Sequence, residues 1–294
     1  MSGITSHLDY YVKSYEAAKR PEEIIYQFGG WRVQKELGKV RQYERGYLLY
    51  CGGYLLLSQD EKQGSLLELG GKALASLRNE GESDIETLLQ GAVSDLGRKT
   101  TRIDYCWNIP GKDITPRQTL VEWGKKRRTT LQRTKPTIYA EYDDEKRDIS
   151  DGGMSIYYGS KDSDNRVIVY DKAAEMGVLA QALTRVELRV RHEYASLLVQ
   201  DMLKHQPLPA AQQKLKSTLD FPKLKWWQKM YTGDIIELSP KKANTPNALG
   251  YLINTVDAFM RKNIYDQEFR EELLEMMGQW AKLSLDIEQN SKAT

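Results

Sequence analysis

One phrase occurs twice in this chain and restricts what it can fold into. The segments "TRIDYCWN" at 101–108 and "TRVELRVR" at 184–191 both run Thr-Arg, then a β-branched apolar residue, then an acid. In an extended strand successive side chains point to opposite faces, so the arginine and the acid share one face and the apolar residue takes the other. If the two strands are neighbours, Asp104 and Glu187 converge on the same side of one sheet. Two carboxylates meeting there repel each other unless a cation sits between them. The plainer reading is a solvent-facing strand in which each acid pairs with the arginine beside it.

The surrounding sequence supports a sheet. Between residues 21 and 70 the short apolar runs "WRVQKEL", "GYLLYCGGYLLLSQ" and "GSLLELGG" are separated by Gly, Asp and Gln, as in an antiparallel meander. Helices are expected at "KALASLRN" and at "SDIETLLQGAVSDLG", where Ser83 or Asp84 caps the start and Gly97 ends it. A further helix is expected at "TPRQTLVEWGKKRRTTLQ", where Thr115 precedes a proline in the first turn. Strands follow at "PTIYAEY", "GMSIYYGS" and "RVIVYDK", then a short helix at "AAEMGVLAQA". From about residue 193 the spacing becomes helical alone. The expectation is an α+β fold with an antiparallel-sheet catalytic core and flanking helices over residues 1–200, and a helical C-terminal subdomain over 201–294.

Composition narrows the function classes. Two cysteines, Cys51 and Cys106, are too few for a disulfide framework, so a reducing cytoplasm is expected. No apolar run approaches the length of a membrane span, and the first twenty residues lack the apolar core of a signal peptide. The net charge of +2 means that any nucleic-acid contact depends on local clusters. One such cluster is "KKRRTTLQRTK", with Lys125, Lys126, Arg127 and Arg128 placed to follow a phosphate backbone, or to end a helix with cations at its negative pole. Another is "KLKWWQK", whose Trp226 and Trp227 are expected to anchor a core more than to stack on bases. No Gly-x-x-x-x-Gly-Lys-Ser/Thr loop is present, which argues against a nucleotide-driven motor. The three histidines include no His-x-His pair.

The stretch "YYGSKDSDNRVIVYDK" at 157–172 reads as strand, polar turn, strand. On its second strand Arg166, Ile168 and Tyr170 share a face, and Lys172 follows two residues on. A phenol ionises near pH 10 and is a poor nucleophile unless a cation or a base stabilises its anion. Arg166, Lys172 and a carboxylate-bound divalent ion could give Tyr170 that setting, while the plainer reading of a strand tyrosine is half-buried packing with a wet hydroxyl.

Together, "YYGSKDSDNRVIVYDKAAE", the preceding "TRIDYCWN" and the following "LTRVELRVR" resemble the replication initiation factors of rolling-circle plasmids and phages, a family that includes relaxases of some integrative conjugative elements. The matching positions are Tyr158, Gly159, Ser160, Ser163, Tyr170, Asp171, Lys172, Glu175, Arg185, Glu187 and Arg189. Lys161 stands where the family usually has arginine, and Ile168 stands where an arginine is common. The resemblance implies an enzyme that nicks one strand of a double-stranded origin through a tyrosine, placed here at Tyr170 with Tyr157 and Tyr158 next in line, holding the 5′ phosphate and freeing a 3′ hydroxyl primer, with Lys172 and Arg166 steadying the phenolate or the phosphate. It implies Mg²⁺ or Mn²⁺ on Asp104 and Glu187; apart from the resemblance, Glu141 in the acidic "EYDDEKRD" is a further candidate ligand if its strand adjoins theirs. It implies DNA contacts at Ser160, Lys161, Arg185 and Arg189 as well as at the basic cluster. Expected partners are origin DNA with its single-stranded nick site, a host helicase and polymerase, and a second copy in a homodimer. The alternatives are a conjugative relaxase with the same chemistry, or a non-catalytic origin-binding protein.

Overall fold

The structure is a computed structural model that describes residues 3–15, 33–80, 99–130, 135–140, 142–143, 148–149, 153–177, 182–231 and 236–239. The chain divides into two compact units, Met1–Lys241 and Lys242–Thr294. Every described residue belongs to the first. The helix expected over 83–97, Glu141, and the helical segments expected beyond residue 242 lie outside the described residues.

The strands are β1 (Thr5–Tyr15), β2 (Val33–Val40), β3 (Tyr43–Leu49), β4 (Tyr54–Leu57), β5 (Ser65–Leu69), β6 (Thr100–Pro110), β7 (Thr129–Thr130), β8 (Thr137–Tyr139), β9 (Tyr142–Asp143), β10 (Asp148–Ile149), β11 (Ser155–Tyr158), β12 (Asn165–Asp171), β13 (Leu183–Arg191) and β14 (Leu219–Asp220). The helices are α1 (Gly71–Glu80), α2 (Pro116–Gly124), α3 (Lys172–Glu175), α4 (His192–His205), α5 (Pro207–Thr218) and α6 (Lys225–Gln228). Ten strands form one sheet in the order β2-β3-β4-β5-β1-β6-β13-β12-β11-β8. Each neighbouring pair is antiparallel. The expected meander is present as β2 to β5, and the two echoing strands, β6 and β13, lie side by side.

Period-two alternation gives the central strands two unlike faces. On β6, Ile103, Tyr105, Trp107 and Ile109 are buried, and on β13 the same holds for Val186, Leu188 and Val190. They share one core with Val167 and Val169 of β12 and with Ala195, Leu198, Val199 and Met202 of α4. Each fully buried side chain of this size contributes about 1.5–3 kcal/mol by leaving water, so this face holds the sheet to its helices. Trp226 and Trp227 belong to the same core, and Trp227 meets Phe221 edge to face with ring centres 5.0 Å apart. The pair is a core anchor, as expected. No helix among the described residues is long and apolar enough to cross a membrane.

β1 is the strand that the sequence reading did not anticipate. It lies at the centre of the sheet between β5 and β6. Its alternation fails between Leu8, which faces Tyr105, and Tyr10, which faces Asp104, and Asp9 is the extra residue of this bulge. A bulge breaks the two-residue period that marks a strand in sequence, and it turns the side chain it carries toward a new direction.

Candidate functional site

The face of β6, β13 and β12 opposite the core is charged. Registered pairs across it are Asp104 with Arg189, Cys106 with Glu187, and Asn108 with Arg185. β12 continues these rows with Arg166 beside Arg189, Ile168 beside Glu187, and Tyr170 beside Arg185. From the other side β1 sets His7 against Cys106 and Tyr10 against Asp104. Asp104 and Glu187 thus sit on one face as diagonal neighbours, the arrangement expected of the repeated phrase if its two strands adjoin.

A cavity of about 640 Å³ opens over these rows, and Asp9, Asp104, Tyr170, Lys172, Arg185 and Glu187 all line it. Its far wall is α1, whose Lys72, Ala75 and Arg78 recur at three-residue spacing toward the cavity, while Ala73, Leu74 and Leu77 enter the core. The helix comes close because Gly71 carries no side chain. A Cβ placed there would lie 2.9 Å from the Asp9 carboxylate.

The ionic contacts explain how charge is held at low exposure. Asp104 accepts from Arg102 at 2.5 Å and from Arg189 at 3.0 Å, and Arg189 donates to Glu187 at 2.8 Å. Arg185 donates to Asn108 at 2.7 Å and to Asp9 at 3.2 Å. Each expected acid therefore has an arginine, as the plainer reading held, yet the acids also converge. Burial, reinforced by the Asp104 charge, pushes the Glu187 carboxyl up to about 7. Burial pushes Asp9 in the same direction, but the hydrogen bond with His7 and the charge of Arg185 outweigh it and hold Asp9 below the usual carboxylate range. Burial and the Glu187 charge raise the Tyr170 phenol well above the ordinary tyrosine value. A cation near the three carboxylates would reverse both upward shifts.

The donor set fits a hard divalent ion. Asp9, Asp104 and Glu187 line the cavity with carboxylates, the ligands Mg²⁺ and Mn²⁺ prefer. Among the described residues the donor atoms that lie within 4.8 Å of one another are those of His7, Asp9 and Cys106. Burial raises the Cys106 thiol to about 12; a soft sulfur is in any case a poor partner for hard Mg²⁺ or Mn²⁺, which suits the oxygens and His7 better. Asp9 and His7 escaped the sequence reading because their strand did.

The motif around Tyr170 has a local explanation. Asp171 caps α3 by accepting from the Ala174 N–H at 3.0 Å. Lys172 opens that helix, pairs with Glu175 at 2.5 Å and lies 5.8 Å from the Tyr170 ring centre. Tyr158 points to the core side, is fully buried and donates to Thr119 at 2.7 Å. Arg166 shares the face of Tyr170 but stacks on Tyr157, 4.3 Å from its ring centre, and does not line the cavity. Gly159, with φ at 105°, starts the turn that Ser160 and Ser163 close through a 2.8 Å hydroxyl contact. Ser160 and Lys161 are exposed there, at the opposite end of β12 from Tyr170.

The basic cluster divides. Arg128 folds back to cap α2 by donating to the Trp123 carbonyl at 2.7 Å, with its guanidinium 3.8 Å from that ring's centre. Lys125, Lys126 and Arg127 are exposed.

Comparison with known proteins adds three findings. The sequence profile of a family described as replication initiation factor matches residues 98–250. No curated protein matches this chain. Among solved structures, a rolling circle replication initiator protein from Geobacillus stearothermophilus is similar with a TM-score of 0.65 at 15% identity, covering 81% of this chain and 100% of that one.

Proposed function

The chain belongs to the replication initiation factor family, and from that premise we propose that it starts rolling-circle replication by nicking an origin strand through Tyr170. One observation carries this reading: Tyr170 lines the same cavity as Asp9, Asp104 and Glu187. The Tyr170 oxygen attacks the scissile phosphorus, the bond to the 3′ oxygen breaks, and the 5′ phosphate remains on the tyrosine. The freed 3′ hydroxyl is the primer. Because one phosphodiester replaces another, the bond can be rejoined without a nucleotide cofactor.

Asp9, Asp104 and Glu187, with His7 beside them, would hold Mg²⁺ or Mn²⁺, which supplies charge stabilisation to the phosphate oxygens. Arg185, directly opposite Tyr170 on β13, and Lys172 hold positive charge beside the phenol. Ser160, Lys161 and Arg189 on this face, and Lys125, Lys126 and Arg127 at the end of α2, contact DNA phosphates in this reading. The nicking reading extends to a relaxase of a conjugative element, which would carry out the same step.

The test is purified protein with Mn²⁺ or Mg²⁺ and a supercoiled plasmid carrying its origin. Relaxation and a covalent protein–DNA adduct are expected, and both disappear in Tyr170→Phe. An adduct that persists in that variant moves the role to another tyrosine, with Tyr157 first. Origin binding without cleavage under any divalent ion supports the non-catalytic reading instead.

A further inference from the structure

Beyond the cavity, the charged face continues toward the β8 edge of the sheet, and its character changes from ionic to aromatic. Tyr157 lies on this face because it registers with Ile168, which registers in turn with Glu187. Its ring meets Tyr139 of β8 edge to face at 5.3 Å between centres. Tyr139 registers with Ser155, and Ser155 with Tyr170, so Tyr139 lies two strands from Tyr170 along one row. Strand spacing makes that about 10 Å. Tyr139 is 61% exposed.

Among the described residues no carboxylate forms an ion pair with Arg166, whereas its neighbour Arg189 is held by Asp104 and Glu187. Arg166 stacks on Tyr157, and its Nε is buried without a hydrogen-bond partner. Arg189 stands beside Arg166 in register, and Arg191 is held in place by donating to the Lys161 carbonyl at 2.8 Å. A guanidinium nitrogen left unbonded and a row of like charges favour an anion. Aromatic rings exposed next to such cations on an open sheet face suit unpaired bases, since stacking is indifferent to sequence and the phosphates take the charge.

We propose that Tyr157 and Tyr139 form a stacking platform for the unpaired nucleotides flanking the nick, with Arg166 and Arg191 carrying their phosphates. The strand would run from Tyr170 across Tyr157 toward the turn that holds Ser160 and Lys161. This inference rests on the nicking reading for the direction of the strand, and its binding element is testable without cleavage. Arg166 becomes a binding residue under this assignment, and Tyr157 a base contact.

The experiment uses the full chain with Tyr170→Phe as background, without divalent metal, and a fluorescein-labelled oligothymidylate read by anisotropy. Tyr139→Ala and Tyr157→Ala are each expected to weaken single-strand binding about 5- to 150-fold, the range that loss of one base stack produces. Tyr157→Phe, which keeps the ring, is expected to bind as the background does. Arg166→Met is expected to lower the salt dependence of binding by about one phosphate's worth. Unchanged affinity in Tyr139→Ala and Tyr157→Ala overturns the platform, as does an equal loss in Tyr157→Phe, which would place the role on the hydroxyl. An equal loss with a duplex of the same length overturns the single-strand assignment. Should Tyr157→Ala not fold, the exposed Tyr139→Ala decides alone. Loss of adduct formation is a separate reading, so a failed platform leaves the nicking reading standing, and a failed nicking reading leaves the platform measurable.

Discussion

Glu187 and Leu188 are consecutive on β13, both buried, and belong to different worlds. Leu188 and its companions on the core face are bound by contacts that are interchangeable in kind, each apolar neighbour contributing its share. Glu187 sits among Asp104, Arg189 and Arg185, where every charge depends on its partners and removing one strands another. The core face holds the fold, and the charged face holds two carboxylates close enough that the Asp104 charge helps raise the Glu187 carboxyl. Most natural burial is of the first kind, so a run of the second kind on the reverse of the same strands marks a site.

This contrast can be broken by experiment. The largest effect is expected from Tyr170→Phe, which should abolish the covalent DNA adduct while leaving the melting temperature within a degree or so, because only a hydroxyl on the charged face is lost. A large fall in stability would show that the two faces are not separable. Next comes Leu188→Ala, expected to cost about 2–5 kcal/mol in denaturant unfolding, through lost burial and a residual cavity, with any surviving folded protein still forming adduct.

A smaller effect concerns pH. Glu187 ionises at about 7 in the folded protein against 4.5 ordinarily, so the folded state holds its proton more tightly than the unfolded state. The resulting stability is fully present below about pH 4.5 and is lost as pH rises toward 7. Thermal melts of metal-free protein should therefore show this contribution fading between those values. Mn²⁺ should raise the melting temperature more at pH 7.5 than at pH 5.5, and Glu187→Gln should flatten both trends. A metal effect that is equal at the two pH values would remove Glu187 from the ligand set. The smallest change is expected from Arg127→Ala, exposed beyond α2, which should alter stability by no more than about 0.5 kcal/mol and lower the salt slope of DNA binding by about one.

What the sequence made legible follows from this contrast. β12, β13 and β6 from Arg102 onward alternate in register, so which residues share a face could be read from residue types, while the meeting of Asp104 with Glu187 hung on the two strands being neighbours, which the sheet order supplies. Asp9 could not be read in this way, because the bulge that aims it at the cavity also erases the period that reveals a strand. Lys72 and Arg78 were hidden for another reason: α1 was recognisable as a helix, but which of its faces meets the sheet depends on Gly71 letting it approach Asp9. Arg166 shares the face of Tyr170, as alternation requires, yet its guanidinium lies on Tyr157, since a shared face does not fix where a long side chain ends.

The place of β1 has a consequence in time. Its neighbours in the sheet are β5 and β6, and the strand that carries Glu187 comes later still, at 183–191. A chain emerging from the ribosome therefore brings out His7 and Asp9 long before the groups they work with. No fragment ending before residue 191 can assemble the centre of the sheet, so the charged cavity is completed late in synthesis.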